Sequence, residues 1–338
     1  MNSILNVESI KGGANIGPAI IEAAGIPELS LLNQKEVKGF TYGSGYGGPG
    51  IGGIGVTAAG GQCKFNLDIG DLQGRIHRQN WDAPYVQMDA MKASPQSVSD
   101  YIVPLGHSAI GQSTLDALLL SPCCQDISIA NPRKTLFSPR NKLLLDCVRL
   151  IGGDTGFRPK VALVENVFNL ANPAMSPLLG VFLNLCDTLT DYYYEYGVFN
   201  SLDFLTPQPR RRILIQFVRK DIGRPVWPEP TTIDYGSLNL NAILPYVVGF
   251  RTSKNKAFTS ADKPINTITT GGALWVKLID GTVRLLTVAE GKLLSTIPEW
   301  FNLEGIRRSE AFLLMGNAIM PNFIQPFFEI IRDELLSR

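Results

Sequence analysis

Apolar positions along this chain follow two rhythms. Short, nearly continuous apolar runs alternate with longer stretches where apolar residues recur at helical spacing. Lys64–Asp68, Leu118–Leu120, Val161–Val164 and Ile213–Val218 read as strands, and Asn141–Leu150 and Leu178–Tyr192 read as helices between them. Apolar runs this short, separated by helices, predict parallel strands buried on both faces. The expected fold class is α/β, a doubly wound, mostly parallel sheet. After Arg224 the rhythm changes: Pro225, Pro228 and Pro230 interrupt it, and residues 225–283 carry Gly, Thr and short strand-like pieces such as Leu274–Ile279. From Ser309 a helical segment resumes. The pattern divides the chain into an extension of unassigned role (1–36, with a helix-like patch at Pro18–Ala24), a sheet domain (37–224), a smaller lobe (225–308) and a helix returning to the sheet (309–338).

Composition sharpens this picture in two places. Hydrophobic residues make up 45% of 338 and charged residues 18%, which supplies a large core and excludes disorder for the bulk of the chain. A net charge of +1 excludes a uniformly basic nucleic-acid coat but leaves room for a local basic cleft. Residues 205–263 hold ten Lys/Arg against four Asp/Glu, either a solvated face or a phosphate-facing lobe. The 5 cysteines form no evenly spaced framework. With only His77 and His107, and no Cys-x-x-Cys pair, no metal site is expected. The first residues lack the basic start and apolar stretch of a signal peptide, and no apolar run approaches the ~18 residues of a membrane helix. A soluble protein of a reducing compartment, without a membrane partner, is expected.

Four segments carry candidate chemistry. Gly43-Ser44-Gly45-Tyr46-Gly47-Gly48 is a glycine turn followed by strand-like runs that end in Asp68 and Asp89. Glycines permit close backbone approach, and carboxylates accept hydrogen bonds from a ribose, which suits a nucleoside at the carboxyl edge of a parallel sheet. Cys123-Cys124-Gln125-Asp126-Ile127-Ser128 follows the run Leu118–Leu120, and Glu165-Asn166-Val167 follows Val161–Val164. A crossover helix fits between them, so Cys124 and Glu165 could meet at one edge as nucleophile and acid. In Gln208-Pro209-Arg210-Arg211-Arg212, alternate residues of an extended chain share a side, so Arg210 and Arg212 could face one pocket.

In this order, the segments resemble the DNA cytosine-5 methyltransferases. The loop at Gly43–Gly48 is similar to that family's Phe-x-Gly-x-Gly-Gly cofactor loop, Cys124–Ser128 to its Pro-Cys-Gln-x-x-Ser, and Glu165-Asn166-Val167 to its Glu-Asn-Val. Gln208–Arg212 resembles Gln-x-Arg-x-Arg, Arg284–Glu290 resembles Arg-x-Leu-Thr-x-x-Glu, and Gly316-Asn317-Ala318-Ile319-Met320-Pro321 resembles the closing motif. Gly43 stands where the family has Phe, leaving the aromatic contact to Tyr42 or Tyr46, and Cys123 stands where it has Pro.

The resemblance implies S-adenosyl-L-methionine as cofactor, held by Gly45, Gly47, Asp68, Asp89 and Asn317. It implies double-stranded DNA as partner, with a flipped-out cytosine attacked by Cys124 and assisted by Glu165, Arg210 and Arg212. Gln208, Arg251, Lys254, Lys256 and Thr267 are the expected DNA contacts, and the lobe is the expected sequence reader. So small a lobe predicts a short or degenerate recognition site. The resemblance further implies a monomer in the cytoplasm of a prokaryote or with a phage, or otherwise intracellular with access to DNA, in a restriction–modification setting. Two other readings stay open: a tRNA cytosine-5 methyltransferase, and a catalytically silent DNA- or partner-binding relative.

Overall fold

The computed structural model describes residues 39–124, 126–127, 138–231, 235–255 and 257–337. The Pro18–Ala24 patch, the residues at Gln125 and Ser128, and Lys256 lie outside the described residues. The first unit contains β1 (Phe40–Gly45), α1 (Ile51–Ala58), β2 (Gly61–Asp68), α2 (Asp71–Asn80), β3 (Tyr85–Gln87) and α3 (Pro95–Ile102). It continues with β4 (Ala117–Leu120), α4 (Asn141–Ile151), β5 (Val161–Val167), α5 (Ser176–Cys186), β6 (Tyr192–Asn200) and β7 (Arg211–Arg219). These strands form one 7-stranded sheet in the order β3-β2-β1-β4-β5-β7-β6.

The expected doubly wound sheet is present. Its first five strands pair in parallel, and β7 runs antiparallel to both β5 and β6. The run Ile213–Val218 is thus a reversed strand, a direction its apolar pattern does not encode. The helix expected over Leu178–Tyr192 ends at Cys186, and Tyr192 instead opens β6. Strand β6 lies at the sheet edge, so its Tyr-rich sequence leaves Tyr196 and Val198 exposed rather than forming a continuous buried run.

Burial on both faces follows from the period of two along each strand. Leu118, Leu120, Ala162, Val164, Ile213 and Ile215 fill the core on one face. Ala117, Leu119, Val161, Leu163, Leu214 and Val218 fill the other. Each fully buried Val, Leu or Ile contributes ~1.5–3 kcal/mol, so the alternation fixes register at the strands that carry the candidate chemistry.

The lobe contains α6 (Leu240–Ile243), β8 (Val247–Thr252), β9 (Thr259–Ser260), β10 (Leu274–Leu278), β11 (Val283–Leu285) and α7 (Val288–Leu294). Its strands form an antiparallel 4-stranded sheet in the order β11-β10-β8-β9. Two helices close the chain, α8 (Arg308–Asn317) and α9 (Pro321–Ile331). Ala311, Phe312, Leu314 and Met315 of α8 pack into the lobe core, whereas Phe323, Ile324, Phe327 and Phe328 of α9 pack against the large sheet. The cluster that holds α8 also contains Ile51 and Ile54 of α1 and Ile76 of α2.

Helix α9 reaches the sheet by lying on α1. A Cβ at Gly55 would stand 2.3 Å from the Pro321 carbonyl oxygen, so only a glycine lets the two backbones approach this closely.

The Arg284–Glu290 motif is a structural brace of the lobe. Thr287 caps α7 in a reciprocal box with Glu290, and Arg284 Nη2 meets Glu290 Oε1 at 2.7 Å. Among the described residues no helix is long and apolar enough to cross a membrane.

Candidate active site

The carboxyl ends of β1, β2, β4 and β5 lie side by side, and the candidate residues gather there. Gly45 ends β1 and Gly47 follows it in the turn to α1. Gly47 presses against the next strand: a Cβ there would stand 2.0 Å from Asn66 Oδ1. At Gly48, with φ +56, a Cβ would meet nothing within 4 Å, so the loop is packed behind and open in front. Asp68, at the end of β2, ties this loop down. Its Oδ2 accepts from the Gly48 N–H at 2.9 Å and its Oδ1 from the Gly70 N–H at 3.1 Å. Each oxygen keeps a further lone pair for a hydroxyl.

Asp89 follows β3, and its Oδ1 accepts from the Met91 N–H at 3.1 Å. Of the two candidate aromatics, Tyr42 is buried, with its hydroxyl donating to the Gly53 carbonyl at 3.2 Å. Tyr46 remains half-buried in the loop itself, with its hydroxyl donating to the Leu143 carbonyl at 3.3 Å. Asn317 is exposed at the end of α8, next to Ile319, which lies against Gly52 of α1. An open glycine turn, a carboxylate beside it and a second carboxylate one strand away fit a nucleoside cofactor.

The thiol loop follows β4 and is clamped from β5. Asn166 donates from Nδ2 to the Pro122 carbonyl at 3.3 Å, and the Ile127 N–H donates to the Cys124 carbonyl at 3.1 Å. Asn169 donates to the Ile127 carbonyl. Glu165 is buried, 6% exposed, yet fully engaged: Arg212 Nε meets its Oε1 at 2.6 Å and Ser121 Oγ donates to its Oε2 at 3.2 Å. A buried carboxylate persists at this depth because it is paired and hydrogen-bonded.

Cys124 is half-buried beside this pair. Burial pushes its thiol up, the Glu165 carboxylate adds to the shift, and the Arg212 and Arg210 guanidiniums oppose it. Cys124, Glu165, Arg210 and Arg212 thus feel one another's charge.

Two expected roles need correction. Arg210 is buried, and its Nη2 donates to the Gly316 carbonyl at 2.9 Å and the Ala318 carbonyl at 3.0 Å. It braces the α8–α9 junction rather than presenting a free guanidinium, and burial with Arg212 nearby lowers its pKa. Gln208, expected at DNA, is fully buried: its Nε2 donates to the Leu294 carbonyl at 2.8 Å and its Oε1 accepts from the Ile268 N–H at 2.8 Å. Its amide is spent fastening the lobe to the sheet domain.

Thr267 joins that seam, donating to the Pro209 carbonyl at 3.2 Å while staying half-buried. Arg251 lies between two rings, 5.2 Å from Phe258 and 5.5 Å from Trp275, and Lys254 is exposed. The sequence did not single out Ser121 or Asn169. Ser121 was legible only as the residue between an apolar run and the thiol loop, and Asn169 gave no signal. Among the described residues no cluster of His, Cys, Asp and Glu could hold a metal ion.

Comparison with known proteins gives the chain's relatives in sequence and in fold. The family model described as C-5 cytosine-specific DNA methylase matches residues 46–255. The Type II methyltransferase M.HgiBI of Herpetosiphon aurantiacus is 30% identical over 189 residues, 54% of this chain and 39% of that protein. The Type II methyltransferase M.HhaI of Haemophilus parahaemolyticus is 23% identical over 215 residues, 63% of this chain and 60% of that protein. The matched stretches thus span 39% to 60% of these relatives' own lengths.

Among solved structures, the Entamoeba histolytica methyltransferase EhMeth aligns with TM-score 0.64 at 14% identity, covering 88% of this chain and 98% of that one. The S. pombe Dnmt2 methyltransferase aligns with TM-score 0.60 at 15% identity, covering 88% of this chain and 99% of that one. At such identities the likeness concerns the fold.

Proposed function

This chain belongs to the C-5 cytosine-specific DNA methylase family, and from that premise we propose that it methylates C5 of a cytosine in double-stranded DNA. The observation that carries the reading is the Cys124 thiol beside the Glu165–Arg212 pair at the end of β4 and β5. Cytosine C5 is too electron-poor to attack a methyl sulfonium, and a thiolate adding at C6 makes it enamine-like. Cys124 supplies that thiolate, and once C5 carries the methyl group a base removes the C5 proton, the Cys124–C6 bond breaks and the thiolate is released. Glu165 holds or protonates N3 as charge develops on the ring. Arg212, fixed on Glu165, orients the carboxylate and faces the base carbonyl. Arg210, through its bonds to their carbonyls, keeps Gly316 and Ala318 in place.

S-adenosylmethionine would be held by Gly45, Gly47, Asp68, Asp89 and Asn317, and would supply the methyl group. Asp68 would accept from ribose hydroxyls, and Tyr46 would offer an aromatic surface. C6 is inaccessible inside a duplex, so the base must leave the stack.

Methyl transfer from labelled cofactor to duplex DNA, measured beside transfer to tRNA, tests the proposal. Label on DNA cytosine C5 is the expected result. Label on tRNA alone, or on neither substrate despite cofactor binding, overturns it. Bisulfite sequencing of DNA from cells expressing the protein would then reveal the site.

A further inference from the structure

Cys123 is the one thiol of the active-site loop that the proposed reaction leaves without a task. It is half-buried, directly precedes Cys124, and contributes to the electrostatics felt by that thiol. The loop carrying both is held at Pro122 by Asn166 and at Ile127 by Asn169, which keeps the two thiols at the same edge. The other cysteines are poorly placed to react. Cys147 and Cys186 are buried, and the Cys63 thiol donates to the Phe65 carbonyl at 3.5 Å.

We propose that Cys123 and Cys124 form a reversible vicinal disulfide that switches methyl transfer off under oxidising conditions. The co-reactant is a small-molecule disulfide. The Cys123 thiolate attacks one of its sulfurs, forming a mixed disulfide and releasing one small thiolate. The Cys124 thiolate then attacks the Cys123 sulfur, forming the Cys123–Cys124 bond and releasing the second. Two protein thiols are oxidised, and one small disulfide is reduced to two thiols; the two protein protons leave with the products.

Geometry makes the bond labile. Neighbouring Cα atoms across a trans peptide are ~3.8 Å apart, below the usual ~4.4–6.8 Å span of a disulfide. The strained ring is therefore readily reduced, as suits a switch and not a structural cross-link. While it is closed, Cys124 has no thiolate to offer.

The test uses the full chain and oxidised glutathione, with peptide mapping as a readout that needs no methyl transfer. In the wild-type protein the expected product is a Cys123–Cys124 peptide lacking two hydrogens and carrying no glutathione, and dithiothreitol restores the free thiols. Methyl transfer should fall and recover in step with that peptide. In Cys123→Ser, inactivation by oxidised glutathione should slow by about tenfold, since the entry thiol is gone. A stable glutathione adduct as the wild-type product, or inactivation of Cys123→Ser at the wild-type rate, would overturn the proposal. Should the variant not fold, the wild-type map alone decides. If methyl transfer itself were absent, the same map would still judge the switch.

Discussion

The carboxyl edge of the large sheet and the outer surface of the lobe are both polar, but they hold their polar groups in opposite ways. At the edge, Glu165, Asn166 and Asp68 each have named partners, and the Glu165–Arg212 pair is buried, with side chains 8% and 11% exposed. On the lobe, Lys254 is exposed and β9 spans only 2 residues. Groups that act on a reacting atom must be positioned before it arrives, so the fold itself satisfies them. An exposed group such as Lys254 is under no such demand.

The sharpest way to break this contrast is at the thiols. Cys124→Ala should lower methyl transfer by ~10³-fold or more, while Cys123→Pro should retain it. Duplex carrying 5-fluorocytosine should trap covalently on Cys124, and an adduct mapped to Cys123 would shift the loop's register by one. Because burial raises the Cys124 thiol, its reactive thiolate becomes more abundant as pH rises. The rate should climb from neutral to alkaline pH and fall toward acid.

Next in size is the buried ion pair. Arg212→Ala leaves Glu165 buried and unpaired, and should destabilise the fold by about 3–5 kcal/mol in urea unfolding. An equally large loss from Arg251→Ala would erase the distinction between edge and lobe.

Gln208→Ala should cost about 1–3 kcal/mol, because the Ile268 N–H and the Leu294 carbonyl would lose their buried partners. The salt dependence of DNA binding should stay unchanged, and a drop in its slope would restore Gln208 to the DNA contacts. Asp68→Ala should weaken S-adenosylmethionine binding by ~1–3 kcal/mol, and unchanged affinity by calorimetry would remove Asp68 from the cofactor site.

The smallest effect is expected on the lobe. Lys254→Ala should lower the salt slope of DNA binding by ~0.9 and weaken binding to all sequences alike. Bisulfite mapping that placed methylation at one long, strictly defined motif would show that the lobe reads more than its size suggests.

The same contrast explains what was legible in the sequence. Val161–Val164 and Leu118–Leu120 were readable as strands because both faces are buried, and their polar successors Glu165 and Cys124 therefore stood out. Strand β6 was not, because an exposed edge relaxes the apolar pattern that the preceding helix imposes. The direction of β7 was invisible because an apolar run reads alike for either orientation. Arg210 was singled out from its spacing and Gln208 from the resemblance, but their partners, at Gly316, Ala318, Leu294 and Ile268, are backbone atoms distant in sequence. Such bonds leave no side-chain signature at the accepting or donating end. The α7 brace is the opposite case, since Thr287 and Glu290 stand three apart in a capping pattern that local chemistry writes directly.

The close approach of α1 and α9 at Gly55 has a consequence for the order of events in synthesis. The groove of α1 behind the glycine loop is covered by Pro321 and Ile324, contributed by the far end of the chain. At a ribosome rate of ~5–20 residues per second, α1 waits roughly 15–50 s for its cover. A nascent chain can pair β1 with β2 and β4 during that interval, while the apolar back of α1 stays open to solvent or chaperone. The cofactor loop is thus made well before the segment that completes its support.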